Sequence, residues 1–252
     1  MRSLKNSLRR VGALTSRNLL EILRDPLSLA FLFLLPGGME ILFYFLFHAL
    51  TPQFSMDLLA PGMVVFGQAF LSLFLGLLIA QDRESSFIVR LYTTGIYSFE
   101  FLLSYALAAL PIALLQGAFL LLIGAVITPS LFSLSLLLSL FAGMIPALLF
   151  LALGILFGSL CSSKAVGGVC SIVVTGQSVL SGMWFPLDGL SEGFLFAMNA
   201  LPFRNASVFL QNVASGRILT EETGRALLIL LAYTLVLFSA SVLVYRAKMR
   251  RN

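Results

Sequence analysis

Gln81-Asp-Arg-Glu-Ser-Ser-Phe-Ile-Val-Arg-Leu-Tyr-Thr-Thr-Gly95 decides how this chain is read. Asp82, Arg83, Glu84 and Arg90 fall within nine residues, between two apolar runs each long enough to span a bilayer. A charged side chain at the bilayer centre costs about 2.5–3.5 kcal/mol on insertion scales. The stretch therefore belongs in water or against a protein partner. Phe87, Ile88, Leu91 and Tyr92 recur at helical spacings and predict a short helix with one apolar and one charged face. An ordinary solvated loop with one helical turn fits the same pattern.

Outward from this stretch the chain turns apolar in both directions. Of 252 residues, 59% are hydrophobic and 11% charged, whereas a soluble domain carries about 25% charged residues. That surplus of apolar surface predicts an all-α polytopic membrane protein, built as one membrane domain. The expected layout is a cytoplasmic amphipathic interface helix over residues 1–26, a six-span domain over 27–245 and a basic cytoplasmic tail over 246–252. The spans are expected near 27–50, 58–80, 99–127, 134–160, 165–185 and 226–245. Leu4, Leu8, Val11, Leu14, Leu19 and Ile22 share one face of the first segment, with Arg10, Arg17, Glu21 and Arg24 mainly on another, as in a helix lying on anionic headgroups. Asp25-Pro26 then ends that helix. The charged start of the chain also argues against a cleavable signal peptide.

Inside the spans, Pro36-Gly37-Gly38, Pro111 and Pro146 are candidate bends. The fifth run is rich in Gly, Ser and Val, which favours close helix packing. Between the fifth and sixth spans, Phe194–Leu201 and Phe203–Val213 are apolar but too short to cross, and predict re-entrant or interfacial half-helices. Thirteen Lys and Arg fall on the side of both termini and the 81–95 loop, against Arg204, Arg217 and Arg225 on the other. The positive-inside rule then puts both termini in the cytoplasm.

Several functions are disfavoured. The net charge of +5 is spread as membrane topology requires, with no nucleic-acid recognition module. Cys161 and Cys170 make neither a disulfide framework nor a metal site. No phosphate-cradling loop or nucleophile elbow occurs; Gly158-Ser-Leu-Cys-Ser-Ser-Lys164 fails the spacing. No catalytic residue, metal ligand or cofactor is expected in this chain. Glu40 is the sharpest single residue, because it lies just past the middle of the first span. It is expected to face a polar path or a subunit interface, near Gln68, Gln116 or Gln177, with a structural, hydrogen-bonded carboxyl as the alternative. His48 is expected at the outer interface.

Three stretches resemble the membrane subunits of ABC-2 type (type V fold) exporters. They are Arg17-Asn-Leu-Leu-Glu-Ile-Leu-Arg-Asp-Pro26, the 81–95 loop, and Leu180-Ser-Gly-Met-Trp-Phe-Pro-Leu-Asp-Gly-Leu190 followed by Asn199-Ala-Leu-Pro-Phe203. The chain departs from the family where Ser85-Ser86-Phe87 replaces a Gly-Thr pair. The resemblance implies a permease subunit in the cell inner membrane that exports its substrate. It implies a dimer with an identical or sister permease, and a separate cytosolic ATP-binding subunit that carries ATP and Mg. Asp82, Arg83, Glu84, Phe87 and Arg90 would couple to that ATPase, and Phe185, Pro186 and Pro202 would belong to the outer re-entrant segment. The competing classes are an ion-gradient-driven secondary transporter, which would want more intramembrane charge, and a non-transporting membrane scaffold.

Overall fold

The computed structural model describes residues 2–85, 96–185 and 187–249. The regular structure among them is helical throughout. In chain order the α-helices are α1 (Arg2–Leu23), α2 (Pro26–Phe47), α3 (Met56–Glu84), α4 (Ser98–Ile127), α5 (Leu134–Ala142), α6 (Met144–Leu160), α7 (Ser163–Leu180), α8 (Glu192–Ala200), α9 (Pro202–Ala214) and α10 (Glu221–Met249). Among the described residues six passages are long and apolar enough to cross a membrane: α2, α3, α4, α5 with α6, α7 and α10. Phe87, Arg90 and Pro186 lie outside the described residues.

Local chemistry sets the helix ends. The Asp25 carboxylate caps α2 by accepting from the Ser28 N–H at 3.1 Å and from its hydroxyl, and Pro26 takes the first helical position, where no N–H is needed. α7 ends at Leu180, short of Phe185, because the chain turns at Gly182 with φ +71, a conformation that favours glycine. Pro36 and Pro111 lie within unbroken helices. The fourth passage divides at Gly143, three residues before Pro146. Pro146 cannot donate to the carbonyl of Ala142, and its ring crowds that carbonyl. Gln68 of α3 reaches into the break and donates from Nε2 to the Gly143 carbonyl at 2.9 Å.

α3 is the hub. Of its apolar window 72% is buried, against 11% for α10. Around α3 lie two cores, one with Leu59, Met63, Phe66, Phe150 and Leu210, the other with Leu75, Ile79, Phe101, Tyr105 and Ile155. Between α3 and α6 the backbones nearly touch. A Cβ on Gly158 would sit 2.6 Å from the Gly76 carbonyl oxygen, and one on Gly154 would collide with the Ser72 carbonyl. Ser72 and Gly76 are four apart on one helix, Gly154 and Gly158 four apart on the other. This is the small-residue crossing by which lipid-embedded helices gain close dispersion contact.

Candidate functional site

Where α3 ends at the start of the 81–95 loop, its last charges are taken up by four other helices. Asp82, 5% exposed, is paired by the Arg17 guanidinium of α1, with Nη2 donating to Oδ1 at 2.8 Å and Nη1 to Oδ2. Tyr105 of α4 donates its hydroxyl to the same carboxylate. Arg83 donates to the carbonyls of Ser159 and Cys161, and so occupies the carbonyl-rich C-terminus of α6, where a cation is favoured. Glu84 accepts from the Ser163 N–H at 2.9 Å and its hydroxyl at 2.5 Å, at the N-terminus of α7, where an anion is favoured. Three consecutive side chains thus bind four different helices.

A second clamp holds the other end of α1. Arg10 donates from Nη2 and Nε to the Glu100 carboxylate at 2.8 and 3.2 Å, and Ser7 adds its hydroxyl. Glu100, 4% exposed, also accepts from the Tyr97 N–H at 3.2 Å and so closes the start of α4. Next to Arg17, Asn18 donates to the Ser104 hydroxyl of α4 at 3.1 Å. Arg17 further pairs with Glu21 at 2.7 Å. Burial, and then the charge of Asp82, push the Glu21 carboxyl above its ordinary value. Hydrogen bonds from Ser28 hold the Asp25 carboxyl below its own. Near these two residues a cavity of about 270 Å³ opens between the α1–α2 elbow and α3, walled by Leu29, Leu32, Phe74 and Leu78, with Glu21, Asp25 and Gln81 also in its lining.

The intramembrane polar residues lie apart from this end. Glu40 is fully buried on the face of α2 that also buries Leu32, Pro36 and Gly37. Neither of its carboxyl oxygens has a hydrogen-bond partner, and Gly124 provides the room beside it, 3.5 Å from Oε1 to a Cβ built there. The three glutamines do not converge on it. Gln116 donates to the Leu32 carbonyl at 2.7 Å and ties α4 to α2, Gln68 serves the Gly143 break, and Gln177 donates to the Ser207 hydroxyl at 3.0 Å and ties α7 to α9. At the end away from the termini, Phe185 is half-buried and Pro202 opens α9. Trp184 anchors that segment, packing edge-on against Phe43 at 4.8 Å and Phe66 at 5.7 Å. His48 is exposed and stacks on Tyr44. Among the described residues no His, Cys, Asp and Glu group could hold a metal ion.

Of the five loop residues singled out from the sequence, Asp82, Arg83 and Glu84 thus serve the chain's own architecture, while Phe87 and Arg90 lie outside the described residues. The sequence reading missed Asn18, Glu100 and Tyr105, and gave Arg10 and Arg17 to the headgroups where they bind Glu100 and Asp82. One signal existed for Glu100, a carboxylate at the third helical position after a loop, where it can close a helix start.

The result is a helical bundle of six passages with an amphipathic leading helix clamped across it. The profile of the ABC-2 type transporter family matches residues 9–214. This chain belongs to the ABC-2 type transporter family. The match takes in α1 from Arg9 onward, the Arg10–Glu100 and Arg17–Asp82 pairs, five of the six membrane passages, and α8 and α9. As an ABC-2 member the chain is a multi-pass membrane protein and a permease component of a transporter. A search of curated proteins returned no match to it.

Proposed function

We propose that this ABC-2 chain is the permease subunit of an ATP-driven exporter. It pairs with a second permease, identical or sister, and takes its energy from a separate cytosolic ATP-binding subunit that carries ATP and Mg. Both termini and the 81–95 loop face the cytoplasm, and the α8–α9 segment faces outward. The observation that carries this reading is the α3 terminus. At the start of the loop, Asp82, Arg83 and Glu84 are bonded to α1, α4, α6 and α7. A push on the loop from an ATPase would reach four helices at once through short polar contacts. Phe87 and Arg90 are proposed to touch the ATPase, while Asp82, Arg83 and Glu84 are positioning residues.

In this mechanism ATP binding favours one arrangement of the bundle over the other, which coupling requires. The α3 terminus moves with the loop, and the spans follow as rigid bodies. The cavity at the α1–α2 elbow is the proposed entry for substrate, and the Trp184 segment lies at the exit. Glu40, unpartnered at the α2–α4 joint, is the proposed polar group of the path or of the permease–permease interface.

The test is ATP hydrolysis by the chain co-purified with its candidate ATPase in lipid nanodiscs. Phe87→Asp is expected to abolish co-purification or stimulation while leaving the permease folded. Arg17→Gln is expected to keep the ATPase bound but uncouple its turnover from transport. If the wild type neither retains nor stimulates an ATPase, the reading fails.

A further inference from the structure

Beside the Arg10–Glu100 clamp lies a cavity of about 530 Å³ whose lining includes Ser7, Arg10, Ser98 and Arg246. Arg246 of α10 is exposed and has no ion-pair partner among the described residues. Arg10 spends Nε and Nη2 on Glu100 and keeps Nη1. Glu100 is saturated by Arg10, Ser7 and the Tyr97 N–H. The charged lining is therefore two arginines against one carboxylate, a net +1. Tyr97 and Phe99 flank it, 70% and 50% exposed, at the level where a membrane interface would lie.

One helical turn deeper, the seam between α4 and α10 opens into a second cavity of about 360 Å³, floored by α6. Its lining is almost wholly apolar and includes Leu103, Ala106, Leu151, Leu235 and Phe238. The two cavities share one seam. Leu103 is one turn on from Phe99 along α4, and Phe238 one turn back from Val242 along α10. Phe99 and Phe238 meet edge-on at 5.9 Å where the cavities adjoin.

A cationic pocket at a membrane interface, continued by an apolar groove toward the bilayer centre, matches one class of molecule. We infer that the α4–α10 seam binds an anionic phospholipid from the leaflet on the side of the chain termini. Its phosphate sits between Arg10 and Arg246, and an acyl chain lies along the groove past Phe238. The net +1 lining complements a phosphodiester monoanion and leaves a zwitterionic headgroup with an unmatched cation. Basic pockets between membrane helices are suited to such headgroups. A soluble phosphate would use the arginines and leave the groove idle.

The experiment is native mass spectrometry of the full-length protein, stripped of lipid in detergent and titrated with phosphatidylglycerol or phosphatidylcholine of equal chain length. Wild type is expected to bind phosphatidylglycerol preferentially. Arg246→Gln, an exposed change that keeps the fold, is expected to lower that preference about fivefold. Ser239→Phe, which fills the exposed side of the groove, is expected to weaken both lipids and leave their ratio unchanged. Equal binding of the two lipids by wild type overturns the inference, as does an Arg246→Gln variant with the preference intact. Glycerol phosphate displacing the lipid at equal concentration would reassign the pocket to a free phosphate. Lipid held by monomers and missing from dimers would reassign the seam to a second copy. No arm uses ATP or transport, so failure here leaves the permease reading standing.

Discussion

Replacing Arg17 by Gln would leave the Asp82 carboxylate nearly buried, with only the Tyr105 hydroxyl and no cation beside it. Breaking a buried pair from one side costs about 3–5 kcal/mol. Arg17 is a third exposed, so about 2–3 kcal/mol is expected, read as a lowered denaturation midpoint in detergent. The double change Arg17→Gln with Asp82→Asn should recover part of that loss, since no charge then stays unpaired. Glu21 behaves in the opposite way. Its carboxyl is raised above the ordinary 4.5, by burial first and the Asp82 charge second. A raised carboxyl contributes stability that is full below the unfolded value and is lost as pH rises through the folded one. Glu21→Gln should therefore remove that loss, and the variant should be the more stable of the two at neutral pH. Glu40→Gln is expected to keep or raise stability, because an orphaned buried carboxyl contributes no bond. A drop in transport with stability intact would give Glu40 a pathway role. At this scale the sequence exposed the charges but not their partners. Asp82 read as a charge for solvent or for a partner protein because Arg17 is 65 positions away, and helical spacing carries no information across that distance.

Helix existence was plain in the sequence, because each span is an apolar run too long for anything else. Where helices touch was harder to see. The Gly-rich fifth run drew the eye, yet Gly167 and Gly168 of α7 have open space where a Cβ would be. The tight crossing is instead α3 on α6, through Gly76, Gly154 and Gly158. Its signal, two small residues four apart, stood in both runs, but a pattern on one helix does not name its partner. Gly158→Ala is expected to destabilise by about 1–3 kcal/mol, since backbone cannot yield as a flexible side chain can. Gly168→Ala should be neutral or stabilising by up to about 1 kcal/mol, the ordinary gain of alanine in a helix. Thermal unfolding of the two variants side by side checks the assignment. Pro36 and Pro111 sit in continuous helices, and the break in the fourth passage falls at Gly143, where Gln68 supplies a donor.

Taken whole, the bundle is organised by a central α3 with apolar cores at two depths, and by a leading helix fastened across one end. The six-span layout was legible because apolar length is a one-dimensional property. The clamps were not, because they are made of pairs distant in the chain. That separation also has a consequence in time. Arg10 meets Glu100 only after 90 further positions have been made. At translation rates of about 5–20 residues per second, roughly 5–18 s pass before the partner exists. Until Asp82 has been made the leading helix has neither of its anchoring carboxylates, and the membrane surface is its natural waiting place. Its full fastening then waits on the insertion of α4, and a chain whose α4 failed to insert would be marked by a loose amino-terminal helix open to proteolysis.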